Sequence, residues 1–204
     1  MMNLTLPTLE GKAFRLEPLD ASHAGDLLQA ASDDQIWTYL DEETPRTRPQ
    51  IDRFIQDAIE EHSRGARLPF AIVDRETEKA IGSISLIDIQ HVHRGVEVGW
   101  AWLSPGYWRS GASREAVYLL LKHAFEEMGA IRAAFKTDSR NIRSQNSILG
   151  MGATREGVFR NHRILSDGYV RDSIYYSILD REWLHIRQTM EADQAAYRDN
   201  SRMP

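Results

Sequence analysis

The chain contains no cysteine. This absence excludes disulfide bonds, metal sites built on thiolates and any reaction that needs a cysteine nucleophile. A covalent mechanism would have to use a serine or another side chain instead. A chain without cysteine also fits a reducing compartment, and we expect a cytoplasmic protein.

Long apolar runs are missing as well. The longest aliphatic stretch, Val117 to Leu121, is far shorter than the roughly 20 residues that a membrane-spanning helix needs. Residues 1–12 have neither the basic flank nor the apolar core of a secretory signal. We therefore expect a soluble protein with no membrane partner.

Positive charge is not in excess either, since 25 lysines and arginines face 30 aspartates and glutamates, for a formal net charge of −5. Surfaces that bind nucleic acids carry a basic field, so no nucleic-acid partner is expected. His91 and His93 have the spacing of metal ligands, but they lie in one predicted loop without a third ligand. The sequence predicts a solvated turn there and no metal.

What remains is an ordinary globular composition, with 42% hydrophobic and 27% charged residues in 204. That length is enough for one domain with a sizeable core. No repeat or linker divides the chain, and the residues beyond Met190 are polar. We predict one domain over residues 8–190 and a polar, flexible tail over residues 191–204.

Hydrophobic periodicity predicts a mixed α/β chain, with an antiparallel meander in its middle because the links there are too short for crossover helices. A capping box at Thr47 and Gln50 begins the most distinct helix and Gly65 ends it, while Asp20 caps an earlier one. The expected order is strand 12–18, helices 21–31 and 47–64, strands 68–74, 80–89 and 96–103, helix 111–128, strand 131–137, helix 141–151, a hairpin of 155–165 with 169–178, and a last helix from residue 180.

The loop from Ser104 to Ser113 carries the most specific local signal. Small residues open a helix there, which presents backbone N–H groups and the positive end of the helix dipole to a phosphate. Arg109 adds a cation, Ser110 and Ser113 add hydroxyl donors, and Gly111 permits close approach of the backbone. An ordinary helix cap at Ser110 explains the same residues without a ligand. The loop lacks the Gly-Lys-Ser/Thr ending of a Walker A loop and the spacing of a dinucleotide-binding loop.

The residues around this loop resemble the GNAT acetyltransferases, and among them the RimJ/RimL type. The likeness is carried by Val96 to Pro105 followed by Tyr107 to Gly111. It extends over about residues 10 to 185 through further matches in the family's order, which are Ile81-Gly82, Glu115-Ala116, Asn141 and Ser144 with Gly152-Ala153, and Glu156-Gly157 through Asp172 and Tyr176-Ser177-Ile178. The resemblance implies a mixed α/β (α+β) GNAT fold, a mostly antiparallel sheet of about seven strands flanked by about four helices, with a splayed strand pair that binds acetyl-CoA.

The resemblance also implies direct transfer of an acetyl group from acetyl-CoA to a primary amine. Coenzyme A is expected beside the strand that ends at Leu103, where a main-chain N–H near Trp102 or Leu103 would polarise the thioester carbonyl. The cofactor-binding residues implied are Trp102, Leu103, Arg109, Ser110, Gly111, Ala112, Ser113, Asn141 and Ser144. The family also suggests a homodimer.

Several positions depart from the family's pattern. Trp108 stands where the phosphate loop usually has arginine or glutamine, Arg109 replaces a common glycine, and Ser113 stands where glycine or alanine is usual. Because most donors in such a loop are backbone groups, we expect phosphate binding to persist with a different loop conformation. Ile148 occupies the place of the tyrosine that protonates the departing thiolate in many members.

Without that tyrosine, Ser144 is the predicted donor of the thiol proton or a partner of the pantetheine arm, and Asn146 is a weaker choice. Asn141 is predicted to bond the cofactor, and a helix cap is the alternative for it. Glu97 is the predicted catalytic base, because a carboxylate in an otherwise apolar strand has a raised pKa. Alternation along the strand places Glu97 on one face, together with Gly99 and Ala101. Val98, Trp100 and Trp102 are then expected on the opposite face. An exposed strand glutamate, or a structural partner for an arginine, is the alternative.

Other features have structural interpretations at least as strong. His123 is predicted on the surface or in a groove, and Asp172 against Arg160 or Arg163. The run from Arg160 to Arg163 either contacts an acidic group or protects a strand edge. At least one aromatic residue of the first helical region is expected in the core, from Trp37, Tyr39 and Phe54.

Three functions remain open from the sequence. The first is acetylation of a protein N-terminal amine of the ribosomal-protein type, and the second is acetylation of a small amine such as a polyamine, an amino acid derivative or an antibiotic. The third is a non-catalytic sensor of acyl-CoA, which the missing tyrosine would allow.

Overall fold

Eight strands form one sheet among residues 2–165 and 167–201, which this computed structural model describes. Their spatial order is β1-β2-β3-β4-β5-β6-β8-β7, and every neighbouring pair except β5 with β6 is antiparallel. The strands are β1 (Leu9–Glu10), β2 (Phe14–Pro18), β3 (Arg67–Asp74), β4 (Lys79–Gln90), β5 (Gly95–Leu103), β6 (Arg132–Asp138), β7 (Thr154–Ile164) and β8 (Val170–Leu179).

Two helical layers cover this sheet. The described helices are α1 (Ala24–Ala30), α2 (Arg48–Ser63), α3 (Ala112–Lys122), which continues into a π-helical turn (His123–Glu127), α4 (Ile142–Gly150) and α5 (Asp180–Ser201). One apolar cluster joins the sheet to α3, α4 and α5 and contains Leu120, Ile148 and Trp183. The other joins the opposite face to α1 and α2 and contains Leu27 and Ile51. None of the described helices is long and apolar enough to cross a bilayer.

The parallel pair β5 and β6 separates soon after it begins. Four residue pairs, from Gly95 with Arg132 to Val98 with Phe135, hold the two strands together. Beyond that point β5 continues to Leu103 beside β4, and β6 continues to Asp138 beside β8. The sheet therefore contains a wedge between β5 and β6, which is the splayed pair that the resemblance to the GNAT acetyltransferases implied.

A β-bulge in β5 changes which face its later side chains occupy. Ser83 lies opposite Trp102 and Ser85 opposite Gly99, so β5 has one residue more than β4 between these pairs. Trp100 takes up the extra length with a left-handed φ of 52°. Val98 packs in the cluster under α3, whereas Trp102 packs in the cluster under α2. Trp100 and Trp102 thus lie on the same face as Glu97, and the prediction from simple alternation was wrong.

Local signals predicted several element boundaries. Thr47 and Gln50 form the expected capping box, and Gly65 follows α2 with a φ of 72°. Asp20 caps a 3₁₀ turn (Ala21–His23) rather than an α-helix. The strand pair β1–β2 adds one short strand to the seven expected, and five helices stand where about four were predicted.

Two polar residues lie elsewhere than predicted. His123 is 3% exposed and belongs to the core, so its assignment to the surface or a groove was wrong. Asp172 is half-buried, and its Oδ1 accepts the main-chain N–H of Asn161 at 2.7 Å instead of an arginine. Trp37 is in the core as expected, where its indole N–H donates to the carbonyl oxygen of Ala31.

The C-terminal segment is helical to Ser201. Residues 202–204, the end of the tail expected from residue 191, lie outside the described residues, as does Ser166 in the hairpin turn. The division of the chain at residue 190 stays a prediction. Gly168 in that hairpin has the left-handed φ of 83° that the predicted Asp167-Gly168 turn requires.

Candidate active site

The loop between β5 and α3 folds around two left-handed residues. Arg109 has a φ of 65°, and Gly111, the N-cap of α3, has a φ of 88°. The Ser110 hydroxyl donates to the carbonyl oxygen of Tyr107 at 2.7 Å and accepts the N–H of Ala112 at 3.2 Å. Ser110 therefore stabilises the loop from within, next to the cap position that Gly111 occupies.

The first turn of α3 presents backbone donors beside this cap. The N–H groups of Ser113 and Arg114 have no acceptor within the helix, because the first residues of any helix lack one. Ser113 and Arg109 are exposed, whereas Ala112 is fully buried and its N–H already bonds Ser110. Gly111 has no side chain to block an approaching oxyanion. The loop thus has the donors, the cation and the open backbone that a pyrophosphate needs.

Trp108 anchors the loop at the position where it departs from the usual pattern. Its indole N–H donates to the carbonyl oxygen of Leu103 at 3.0 Å, which fixes the loop to the end of β5. The guanidinium of Arg143 lies 3.8 Å from the centre of the same ring. Tyr107 adds a second anchor, since its hydroxyl donates to Asp74 at 2.6 Å.

Of the two main-chain groups predicted to face the thioester, Leu103 has the better placement. The Ser104 N–H donates to the carbonyl oxygen of Ile81 on β4 at 2.9 Å. The carbonyl oxygen of Trp102 also faces β4, where a Cβ on Gly82 would collide with it. Because successive residues of a strand direct their main-chain groups to opposite sides, the N–H of Leu103 is directed into the wedge.

Asn141 and Ser144 stand at the start of α4, after β6. The Asn141 Oδ1 accepts the main-chain N–H of Ser144 at 3.0 Å and so forms a helix cap. This is the alternative that the sequence allowed for Asn141. Ser144 is half-buried in the first turn of α4, which follows the end of β6, the strand on the far side of the wedge from β5.

Glu97 lies where β5 and β6 are still paired, on the face opposite α3. Its side chain is 6% exposed, and the Nζ of Lys136 is 2.9 Å from its Oε1. Burial raises the pKa of Glu97 above the ordinary value, and the charge of Lys136 opposes that shift without cancelling it. The partner of this carboxylate is therefore a lysine from β6 rather than an arginine.

An open cavity of about 310 Å³ adjoins Glu97 on this face. Helix α1 packs mainly on β4 and α2 mainly on β3, and α2 reaches the end of β5 through Phe54, which contacts Trp100 and Trp102. Phe159 and Tyr175 line the cavity with ring centres 4.4 Å apart. The polar side chains in its wall are those of Asp88, Gln90, Glu97, Arg132, Glu156 and Tyr175.

Comparison with known proteins identifies the architecture. The Acetyltransferase (GNAT) domain family matches residues 14–154, more than half of the chain. The chain belongs to the GNAT acetyltransferases.

The solved structures that resemble this GNAT enzyme agree with its fold. A candidate acetyltransferase from T. thermophilus is 36% identical, covers 91% of this chain and 96% of its own, and superposes with a TM-score of 0.82. A GCN5-related N-acetyltransferase from Brucella melitensis is 30% identical over 92% of this chain and 85% of its own, with a TM-score of 0.86.

Curated relatives of the enzyme cover most of its length. The uncharacterised N-acetyltransferase YoaA of Bacillus subtilis (strain 168) is 27% identical over 175 residues, 85% of this chain and 97% of its own. YdaF of the same organism, whose name marks it as a candidate ribosomal N-acetyltransferase, is 32% identical over 107 residues, 50% of this chain and 55% of its own. Spermidine N(1)-acetyltransferase of Escherichia coli (strain K12) is 23% identical over 177 residues, 87% of this chain and 91% of its own.

GNAT acetyltransferases use acetyl-CoA as their co-substrate, and the residues around the wedge of this enzyme fit that molecule. The loop at Gly111 suits the pyrophosphate, and the unpaired edge of β5 suits the amide-bearing arm that connects it to the thioester. No group of three or more histidine, aspartate or glutamate side chains in the described part of the chain is arranged to hold a metal ion.

The sequence did not reveal three polar residues on the face of the sheet that carries Glu97. Lys136 contacts Glu97, and Tyr175 lies directly across from Lys136 in the β6–β8 pairing. His162 reaches back from a bulge in β7, where its Nδ1 is 3.0 Å from the Ser173 hydroxyl and its Nε2 is 3.5 Å from the Tyr175 hydroxyl. Lys136 alternates with small and apolar residues in β6, and that pattern was the one available signal.

Next to the site, on the side of α2, a buried arginine and two aromatic side chains pack together. Arg67 is 3% exposed and its guanidinium lies 4.7 Å from the centre of the Trp100 ring. It donates to the Ser85 hydroxyl at 2.9 Å and pairs with Glu61 at 3.1 Å. Phe54 packs edge-on against Trp100, so the bulge of β5 is held in place from this side.

Proposed function

We propose that this acetyltransferase moves the acetyl group of acetyl-CoA directly to the α-amine at a protein N-terminus, with Glu97 as the catalytic base. The observation that carries the proposal is the position of Glu97. Its buried carboxylate borders the open cavity and lies beside the point where β5 and β6 separate. A group there meets both an acceptor that enters through the cavity and a thioester in the wedge.

Each proposed site residue has one task. Arg109, Ser113 and the backbone around Gly111 hold the pyrophosphate, while Ser110 and Ala112 shape that loop. The N–H of Leu103, next to Trp102, polarises the thioester carbonyl. Asn141 and Ser144 border the pantetheine arm from α4. Acetyl-CoA supplies an activated acyl group, and Glu97 removes the proton that the amine must lose.

The chemistry of the base favours an α-amine. Free α-amines have a pKa of about 7.7–8.0, against about 10.4 for a lysine side chain. An α-amine is therefore neutral, and ready to attack, in a larger fraction at neutral pH, so a weak base such as a buried carboxylate has to remove only the one proton that is lost on attack. The cavity is open to solvent, which suits the end of a peptide chain, and the resemblance to YdaF agrees with such an acceptor.

A small polycationic amine is the second candidate. Asp88 lines the cavity beside the Glu97–Lys136 and Glu156–Arg132 ion pairs, and its carboxylate attracts a positively charged substrate. The relative that acts on spermidine is similar over most of the chain. A homodimer and a cytoplasmic location remain expectations from the resemblance and the composition.

A thiol-release screen with acetyl-CoA against N-terminal peptides, spermidine, amino acid derivatives and aminoglycosides tests the proposal. We expect release with at least one peptide, and loss of release when the peptide's α-amine is blocked. Release with spermidine alone would support the second candidate. If coenzyme A raises the melting temperature while no amine supports release, the chain is an acyl-CoA sensor and the proposal is wrong.

A further inference from the structure

The ion pair between Glu97 and Lys136 stands at the vertex of the wedge. Val98 and Phe135 form the last residue pair of β5 and β6, and Lys136 is the next residue of β6. Phe135 packs in the cluster under α3, so alternation directs Lys136 to the opposite face. That face carries Glu97, and the Nζ of Lys136 is 2.9 Å from Glu97 Oε1 and 3.2 Å from Oε2.

The two partners differ in how far they are exposed. The Glu97 side chain is 6% exposed and the Lys136 side chain is 21% exposed. Two charged side chains act on Glu97 besides Lys136, Asp88 from β4 and Arg163 from β7, and Tyr175 from β8 faces the same pair. Glu97 is thus the more buried partner, and Lys136, the first residue of β6 beyond the last β5–β6 pair, is the more accessible one.

We propose that Lys136 is the acid that protonates the sulfur of coenzyme A, and that Glu97 returns a proton to it. The inference rests on the proposed function, and it supplies the group that the missing tyrosine at Ile148 left open. Ser144 is the alternative, but among the described residues its hydroxyl makes no hydrogen bond, and its main-chain N–H donates to Asn141. Lys136 differs from it because it already touches the base.

The proton balance closes within the pair. As the amine nitrogen forms its bond to the carbonyl carbon, Glu97 takes the proton that the nitrogen loses. The bond between that carbon and sulfur breaks, and its electron pair leaves with sulfur. Lys136 then gives a proton to the sulfur, and neutral Lys136 recovers one from protonated Glu97 along the hydrogen bond between Nζ and Oε2, which is 3.2 Å long. Amine and thioester become amide and thiol, and both side chains return to their starting charge.

A charged partner also explains why a buried carboxylate is present at all. An unpaired charge in the interior is costly, whereas a lysine within hydrogen-bond distance keeps enough of Glu97 ionised to act as a base. Loss of Lys136 would remove both its effect on the ionisation of Glu97 and its donation of a proton to sulfur, so an experiment has to separate these two roles.

The test compares Lys136→Met and Lys136→Arg with wild type and with Lys79→Met, a control at an exposed lysine that begins β4. We expect kcat for thiol release to fall on the order of a hundredfold or more in both Lys136 variants, while Lys79→Met keeps wild-type activity. Arginine preserves the positive charge beside Glu97 but is not a practical proton donor, because it stays protonated. The affinity for coenzyme A is expected to stay close to wild type.

A second readout needs no acceptor. The ultraviolet absorbance of the thiolate reports the ionisation of enzyme-bound coenzyme A as the pH rises. An ammonium group beside the sulfur favours the thiolate, so the thiol should ionise at lower pH in wild type and Lys79→Met than in Lys136→Met. This titration tests the contact with sulfur even if the acceptor screen fails, so failure of the two proposals can be told apart.

Any of three results would overturn the inference. Full activity of Lys136→Arg would show that only the charge matters. Complete recovery of Lys136→Met at high pH would show that the lysine acts only by keeping Glu97 ionised. An unchanged thiol titration in Lys136→Met would place the sulfur away from this residue and would reject the contact itself.

Discussion

The Oε1 of Glu115 accepts the main-chain N–H of Ala13 at 3.0 Å, from a segment 102 residues earlier in the chain. The same oxygen accepts the N–H of Lys12. The first turn of α3 is thereby joined to the segment before β2, and Gly11 permits the close approach because a Cβ there would collide with the Glu115 carboxylate. The Glu-Ala match to the family at this helix is thus structural, and it steadies the helix whose N-terminus forms the phosphate loop.

We expect Glu115→Ala to destabilise the enzyme by about 2 kcal/mol, because two partly buried N–H groups lose their acceptor. Urea unfolding measures the change. Glu127→Ala, at an exposed position of the π-helical turn that follows α3, is the matched control and should change stability by less than about 0.5 kcal/mol. Equal effects of the two substitutions would show that the contact to β2 contributes nothing.

The raised pKa of Glu97 predicts the pH dependence of the reaction. Only the carboxylate accepts a proton, so kcat/KM should fall as the pH is lowered through a pKa above the usual value of about 4.3. Glu97→Gln should lower kcat by a factor on the order of 10²–10⁴ while coenzyme A still binds. A pH profile is the measurement, with Glu76→Gln, in an exposed turn, as the control.

Stability should respond to the same group in the opposite sense. A carboxyl group with a raised folded-state pKa binds its proton more tightly when folded, so its contribution is complete below the unfolded pKa. The contribution is lost as the pH rises through the folded pKa. Glu97→Gln resembles the protonated form, and we expect it to be at least as stable as wild type at neutral pH. Marked destabilisation would mean that the ion pair with Lys136 holds the sheet together.

The ion pair between Glu156 and Arg132 should lose stability in acid, in contrast to Glu97. Arg132 donates to both of its carboxylate oxygens, at 2.7 and 2.5 Å, and lowers the pKa of Glu156 to about 2. This stability is present above the unfolded pKa of about 4.3 and is lost as the pH falls through about 2. Because both side chains are more than a third exposed, we expect at most about 1 kcal/mol. Unfolding free energies for Glu156→Gln, Arg132→Gln and the double variant across this range isolate the pair, and additive effects would contradict it.

Gly111 predicts a local effect on coenzyme A. Its φ of 88° is a conformation that costs an ordinary residue roughly 1–2 kcal/mol, so Gly111→Ala should shift the loop and weaken binding. Gly106 lies in the same loop with open space around its Cβ position, and Gly106→Ala is the matched control. Calorimetric titration with coenzyme A measures both, and equal affinities would remove Gly111 from the phosphate site.

The elements of the fold were largely predictable because their signals are local. The capping box at Thr47 and the alternation in β3 and β4 depend on neighbours a few residues away. The bulge at Trp100 could not be predicted, because it is defined by the pairing of β5 with Ser83 and Ser85 on another strand. One extra residue there reversed the face assigned to two tryptophans.

The loop around Gly111 could be located from the sequence for the same reason, while its role in holding the cofactor stays a prediction; the residues around the cavity could not be located. The loop around Gly111 is continuous in sequence, whereas Glu97, Lys136 and His162 meet only through the order of β5, β6, β8 and β7. His123 shows a different failure. Its spacing of three and four residues from Leu120 and Leu119 places it on the apolar face of α3, which is buried. The prediction put it on the surface because histidine is polar, although the spacing indicated the core.

The four residue pairs between β5 and β6 have a mechanical consequence. They form the strand ladder between the half-sheet β1–β5 and the half-sheet β6–β8, and the bond from the Ile131 N–H to the Arg94 carbonyl oxygen and the Glu97–Lys136 pair add to it. Under load or heat, we expect the sheet to separate first along this line, because it is the shortest ladder from β2 to β8; the two-pair edge β1–β2 is shorter but lies at the margin of the sheet. A molecule lying in the wedge bridges the two halves as a further strand would. We therefore expect the enzyme to be stiffest while it holds its co-substrate and most flexible during the exchange of product for substrate.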